Sequence, residues 1–343
     1  MRRFKISTAI LLSVLVVSAI AFSTTASAEE VEAVKVITHF DEEKGLVSNN
    51  IFGLMAEASG KGWGLFIASV GGLHVYVDDV FLSIFQGRAA VVLNADYSTT
   101  EEGDPTETLW TYAAGEKLED NLLYRVSSES GLWTAERLTS PREEVTALSA
   151  RHRTLYIGTD SSLYYIEESE LKGALNVEYR KILTGVSINT VVSMGDGTLA
   201  LGMREEGSGA SGLKIIGGEI SGVTGWVDRL SGVDVTALLT TEDGLLIGTE
   251  SSGIYLLGEG GEVRNITTSS PTGKINEILL DNGRLCVAAD GGLFVGDLTT
   301  LTRCGLTGFD GSVTALAPGP GSLFWVGTKS NGLYLVEYLG AKK

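Results

Sequence analysis

Three stretches of this chain are variants of one phrase. VTALLTTEDGLLIGTESSGIYLL, residues 235–257, returns as VTALSARHRTLYIGTDSSLYYI at 145–166 and as VTALAPGPGSLFWVGTKSNGLYLV at 313–336. Weaker copies begin at Ile51, Ile188 and Ile275, and successive starts from 145 onward lie 43, 47, 40 and 38 residues apart. A period of this length means that one small supersecondary unit is repeated, and that neighbouring units bury each other's apolar faces. The 94 residues between the starts at 51 and 145 leave room for one more, degenerate copy. Its expected strands are Ala89 to Ala95, Thr108 to Ala113, Leu122 to Val126 and Trp133 to Leu138, with the acidic stretch Ser98 to Glu107 as an inserted loop. The repeat count is then seven.

Within a unit, short β-branched and aromatic runs alternate with clusters of Gly, Asp, Asn and Ser, the pattern of strands joined by tight turns. In the copy at 235 the expected strands are Val235–Leu239, Leu245–Thr249, Ile254–Leu257 and Val263–Thr267. Four strands in 40–45 residues make a propeller blade. The expectation is therefore all-β: a seven-bladed β-propeller of four-stranded antiparallel blades. The fourth residue of each second strand is small (Ala68, Gly158, Gly202, Gly248, Ala288, Gly327), which lets neighbouring strands or blades approach closely. The degenerate copy has Tyr112 there. Val34 to Phe40 is strand-like but belongs to no unit, while the last unit ends after Tyr334 to Tyr338 without a fourth strand. The amino-terminal strand is thus expected to complete the final blade and remove an open sheet edge.

At these residues the chain resembles the two-component regulator propeller repeat family. Val235-Thr236-Ala237-Leu238, Leu245-Leu246-Ile247-Gly248-Thr249 and Gly253-Ile254-Tyr255 match its repeat, and Leu46-Val47-Ser48-Asn49-Asn50 looks like its lead into a blade. The resemblance covers about residues 40–340. It implies an exported propeller of the kind often joined to a sandwich-like domain, a membrane span and a histidine kinase. This chain reaches Lys343 without a transducer, so a stand-alone propeller is expected.

The first 28 residues read as a secretory signal: Arg2, Arg3 and Lys5, an apolar stretch from Ala9 to Phe22, and the small-residue site Ala26-Ser27-Ala28. Residues 29–343 then form a single β-propeller domain that is secreted, periplasmic or at the cell surface. The alternative is an uncleaved anchor from Ile6 to Phe22. No later run is long enough to span a bilayer, and no Cys follows the signal to carry a lipid. Asn265-Ile266-Thr267 is a glycosylation acceptor pattern. The net charge of -17, which becomes -20 without the signal, argues against a nucleic-acid partner.

Catalytic chemistry needs convergence, and the three histidines His39, His74 and His152 fall in different units or strand types. Asp196, Asp243 and Asp281 recur between first and second strands, where turn formation accounts for them. The candidate binding residues are those between second and third strands: Asp160, Glu205, Glu206, Glu250, Asp290 and Lys329. The five carboxylates would ring one mouth of the central channel, either as a solvated acidic rim or as ligands for a hard cation such as calcium. Trp63, in a Gly-rich turn, is the candidate for an exposed aromatic contact. Cys286 and Cys304 fall on the second and fourth strands of one blade, about 9.6 Å apart at two ladder spacings, too far for a disulfide. Two unpaired thiols are expected. The functional expectation is a non-enzymatic recognition or scaffolding module for a protein or envelope component, with a small-molecule ligand also admissible. One alternative is a sensor coupled to a separate membrane partner. The other is a propeller lyase or hydrolase, which the scattered histidines disfavour.

Overall fold

The structure, a computed structural model, describes residues 34–56, 64–99, 105–129, 132–151, 153–171, 177–194, 197–204, 211–217, 227–267, 271 and 273–340. The signal at 1–28, Trp63, His152, Asp196, Glu205, Glu206 and Trp226 lie outside the described residues.

Seven four-stranded antiparallel sheets make up the molecule. Six are built from four consecutive strands, and their first strands are Ile51–Ala56, Ala89–Thr99, Val145–Arg151, Ser187–Ser193, Val235–Thr241 and Ile275–Asp281. The seventh begins with Val313–Pro318 and takes its outermost strand from the other end of the chain. Val34–Phe40 runs antiparallel to Leu333–Tyr338, with Val34 opposite Tyr338 and Phe40 opposite Leu333. Each first strand touches the first strands of both neighbouring blades, the seventh meeting the first, so these strands form a closed inner ring. This is the seven-bladed propeller expected from the repeat, closed by the amino-terminal strand.

Among the described residues the buried apolar side chains fall into seven clusters, one at each blade junction. The core is therefore distributed around the ring, and each blade buries both faces against its neighbours. The small-residue column sits in these junctions. A Cβ added at Gly158, Gly248 or Gly327 would come within 2.7, 2.6 and 2.7 Å of the first-strand side chains Ile188, Ile275 and Ile51 of the following blade. Close approach of the next blade is what the small residues permit. Tyr112 occupies the same column, opposite Val92, and is buried with its hydroxyl against the backbone of Val145 in the next blade.

Every first strand carries a bulge near its start, between Ile51 and Gly53, Ala90 and Val92, Val145 and Ala147, Ile188 and Thr190, Val235 and Ala237, Ile275 and Glu277, and Val313 and Ala315. A bulged residue is left out of the ladder and re-aims its side chain. In five blades that residue clasps the next blade. Thr146 donates to the carbonyl of Ile188, Asn189 to Val235 at 3.0 Å, Thr236 to Ile275 at 2.7 Å, Asn276 to Val313 at 2.8 Å and Thr314 to Ile51 at 2.7 Å. The first two blades have Phe52 and Val91 at this place, which cannot donate such a bond.

The degenerate second blade departs from expectation in its first hairpin. Instead of a loop over Ser98 to Glu107, the strands Ala89–Thr99 and Pro105–Ala114 keep pairing outward, with Tyr97 opposite Glu107 and Thr99 opposite Pro105. The Ser, Thr and Tyr content there supports extended backbone, and the acidic composition alone does not break a ladder. Cys286 and Cys304 lie on the second and fourth strands of the sixth blade, buried and unpaired, as the register required.

Candidate functional site

The inner ring leaves one set of backbone groups without a strand partner, because each innermost strand pairs on one side only. Those groups face the central channel. Leu316 shows the arrangement: it stands opposite Val326 in the ladder, yet its N–H donates to Glu277 Oε2 of the sixth blade at 2.7 Å. Two more channel-edge amides are met across a junction in the same manner. Ala150 N–H donates to Asn94 Oδ1 at 2.7 Å, and Ser193 N–H to Ser149 Oγ at 3.1 Å. Unpaired amides away from bulk water are costly, so side chains of the preceding blade satisfy them.

Glu277 is the ionisable member of this set. Opposite the small-residue column the other blades have Gly53, Val92, Ala147, Thr190, Ala237 and Ala315; only the sixth blade has a carboxyl. Burial pushes its pKa up to about 8, against the lowering effect of the Leu316 bond. Glu277 is half-buried. The sequence reading did not single out this position; the signal was the break in a column of small or uncharged residues.

The rim candidates among the described residues, Asp160, Glu250, Asp290 and Lys329, sit at one end of the ring. The backbone N–H of Asp160 bonds the carbonyl of Glu144 at 3.1 Å, Glu250 that of Asp234 at 2.9 Å, Asp290 that of Lys274 at 2.9 Å and Lys329 that of Ser312 at 3.1 Å. Each rim residue is therefore tied to the residue that leads into its own blade's innermost strand. These leading residues, Glu144, Asp234 and Lys274, were missed in the sequence, although they stand immediately before the recurring inner strand. The third and fifth blades contribute two carboxylates each, and the sixth and seventh bring Lys274 and Lys329 to the same end. Asp290 Oδ1 is engaged by Asn276 at 3.1 Å and Ser312 at 3.0 Å. Among the described residues no group of three or more His, Cys, Asp or Glu is placed to hold a metal ion.

Beside this end, Glu143 gathers bonds from Thr159 at 2.6 Å, Tyr164 at 2.6 Å, Ser162 at 3.2 Å and Lys181 at 3.1 Å. Burial alone would raise its pKa, but the bonds from Thr159, Tyr164 and Lys181 bring it down to about 2. This carboxylate holds the third blade's outer strands to the preceding link.

The histidines do not assemble. His39, in the closing strand, stacks on Tyr334 with ring centroids 4.2 Å apart and bonds the carbonyl of Asn331 at 2.7 Å. His74, in the third strand of the first blade, is 1% exposed; burial lowers its pKa, against the raising effect of the Gly71 backbone. Trp110 and Trp325 are buried, and Trp133 packs edge-on against Phe66 at 4.6 Å.

Neither protein-family profiles nor curated protein sequences give a match. Solved structures do. One is described as the extracellular domain of a hybrid two-component system from B. thetaiotaomicron: 16% identity, TM-score 0.61, with 89% of this chain and 39% of that one covered. This chain thus spans about two fifths of that domain. Another is streptogramin B lyase, at 10% identity and TM-score 0.65, with 90% of this chain and 99% of that one covered. A chain of the mitotic checkpoint complex aligns at 12% identity and TM-score 0.58. At such identities the likeness is one of fold, and it fits the resemblance to the two-component regulator propeller repeats. No helix among the described residues is long and apolar enough to cross a membrane.

Proposed function

We propose that this protein is an exported, non-enzymatic propeller that recognises a protein or envelope component, outside the cell or at its surface. One observation carries the reading: the chemistry-bearing side chains are used to hold blades together. Glu277, Asn94 and Ser149 cap neighbouring amides, Glu143 anchors the third blade, Asp290 ties the sixth blade to the seventh, and His39 is stacked within the closing blade. What is left for partners is a rigid frame with broad loop-built faces. The signal-like residues 1–28 support export. The acidic arc of Glu144, Asp160, Asp234 and Glu250 favours a partner with basic surface.

A second reading is favoured by the likeness to an extracellular domain of a two-component system. In it the propeller binds an envelope-derived ligand and passes that state to a separate membrane protein. Pull-down of envelope proteins with the mature chain separates the readings from a lyase or hydrolase. The recognition reading expects a retained partner that is released by the charge reversals Asp234→Lys and Glu250→Lys. Ligand-dependent thermal stabilisation without a retained protein favours the sensor. Turnover of glycan or ester substrates that disappears on replacing one channel residue overturns both.

A further inference from the structure

The outermost strand of each blade has one side without a ladder partner. Such edges invite pairing with another chain, and charged side chains are the usual protection. Lys35, Glu136, Arg180, Asp228, Arg264 and Arg303 each supply a charge to one of six outermost strands. The first blade's, Val80–Gln86, has none. It is also apolar where it meets water: Val80 is 51% and Leu82 50% exposed. Among the described residues no hydrogen bond beyond its ladder to Gly72–Val77 involves it. Phe81 packs on Phe40 and Tyr76, toward the closing blade. Leu82 stands opposite Val75, whose cluster joins the first blade to the second and also takes in Ile84. Val80, Leu82 and Ile84 therefore share the face turned toward the second blade.

We propose that Val80–Gln86 pairs antiparallel with the same strand of a second copy of this chain, about a twofold axis at Leu82. Val80 then stands opposite Ile84 of the other copy and Leu82 opposite its own counterpart, so the apolar residues of both copies meet in one cross-strand row. Two features commit the edge to a second copy. An isologous contact needs a surface complementary to itself, and a strand without charge from Val80 to Gln86 sets no like charges opposite each other. The charges just outside it differ in sign at the two ends: Asp78 and Asp79 precede the strand, and Arg88 follows it. Antiparallel pairing brings the acidic end of each copy toward the basic end of the other. A uniformly basic or acidic peptide would match one end only.

Two terms limit the strength of this contact. The ladder to the third strand shifts register at Ile84, which leaves Val80–Ser83 as the regular part of the edge; a short ladder gives a small interface and a dimer that forms only as concentration rises. The net charge of -17 also opposes association of two copies, a repulsion largely screened in about 0.15 M salt.

The experiment is sedimentation velocity of the mature chain in about 0.15 M NaCl over roughly 1 to 300 µM. The expected result is a weight-average mass that climbs from one chain toward two. Leu82→Lys is expected to stay a monomer throughout. Val227→Lys, which puts the same charge on the exposed outermost strand of the fourth blade, is expected to behave as the wild type; both variants alter net charge equally, so general repulsion does not separate them. Leu82→Cys places a thiol at the twofold axis, where opposite residues lie about 4.5–5.5 Å apart between Cα atoms, within disulfide reach. Oxidised glutathione should link that variant into a covalent dimer and leave Val227→Cys a single chain, since Cys286 and Cys304 are buried. A single-chain mass up to the highest concentration, dimerisation undiminished by Leu82→Lys, or equal weakening by Val227→Lys overturns the proposal. Should Leu82→Lys fail to fold, cross-linking decides, and a Leu82→Cys chain that stays unlinked overturns it. The measurement uses no envelope material, so this contact and the recognition reading fail separately.

Discussion

One added methyl group tests how closely the blades approach. At Gly248 a Cβ would lie 2.6 Å from Ile275 Cγ2 and 3.1 Å from Ala237 Cβ, so Gly248→Ala must push apart the fifth and sixth blades. Overpacking of this kind costs roughly 1–3 kcal/mol, which urea unfolding should register as a lower midpoint at unchanged slope. Two carboxyls should respond to pH in opposite directions. Glu143, held near 2 in the fold against an ordinary 4.5, adds stability that is complete above 4.5 and is lost as pH falls toward 2. Glu277, held near 8, binds its proton more tightly in the fold than out of it, so its contribution is present below 4.5 and is lost as pH rises to 8. Thermal melts should therefore show Glu277→Gln gaining on the wild type between pH 4.5 and 8.5, and Glu143→Gln losing ground over pH 2.5 to 5. Identical pH profiles for either variant and the wild type would contradict the assignment. That Asp160, Glu250, Asp290 and Lys329 share one end of the ring was legible because the repeat alignment numbers them. Glu277 was not, since its role comes from an amide in another blade, which only the closed ring brings within reach.

At the scale of the element, strands were easier to place than the lengths of the turns between them. In the fifth blade Val235–Thr241, Gly244–Thr249 and Ile254–Leu257 fall where β-branched runs and turn residues put them. The second blade's first hairpin misled because acidic composition was read as loop, whereas pairing against an already formed neighbour strand carried the ladder outward. The bulges were invisible: VTAL reads as a continuous strand, yet Thr146, Thr236 and Thr314 are pushed out of their ladders and their hydroxyls spent on the next blade. The cysteines were legible because strand order alone separates them. Burial raises Cys286 to about 12 and Cys304 to about 11, so the thiolate, which is the reactive form, is scarce. Iodoacetamide at pH 8 should leave the folded protein unmodified and add two groups in denaturant. A single bridge found by mass spectrometry, or rapid alkylation of the native state, would contradict the sixth blade's register.

For the whole molecule, the decisive contact joins the two ends of the chain. Phe40 ends the closing strand and reaches into the first blade, 5.2 Å from Tyr76 and 5.3 Å from Phe81 between ring centroids. Val34, at the strand's other end, lies in the cluster between the sixth and seventh blades. Seven junctions each bury apolar area on both sides, and without the closing strand the seventh blade keeps an open edge along Leu333–Tyr338. The ring was legible from a count of repeats and one unassigned strand; the ligand was not, because a repeat encodes what all blades share and a site depends on where one blade differs. Hydrogen exchange on a chain that begins at Asp41, compared with the mature protein, tests the closed ring most directly. The account predicts loss of amide protection along Leu333–Tyr338, spreading into the junction of the seventh blade with the first, together with a lower melting temperature. Protection of Leu333–Tyr338 equal to that of the mature protein would contradict it.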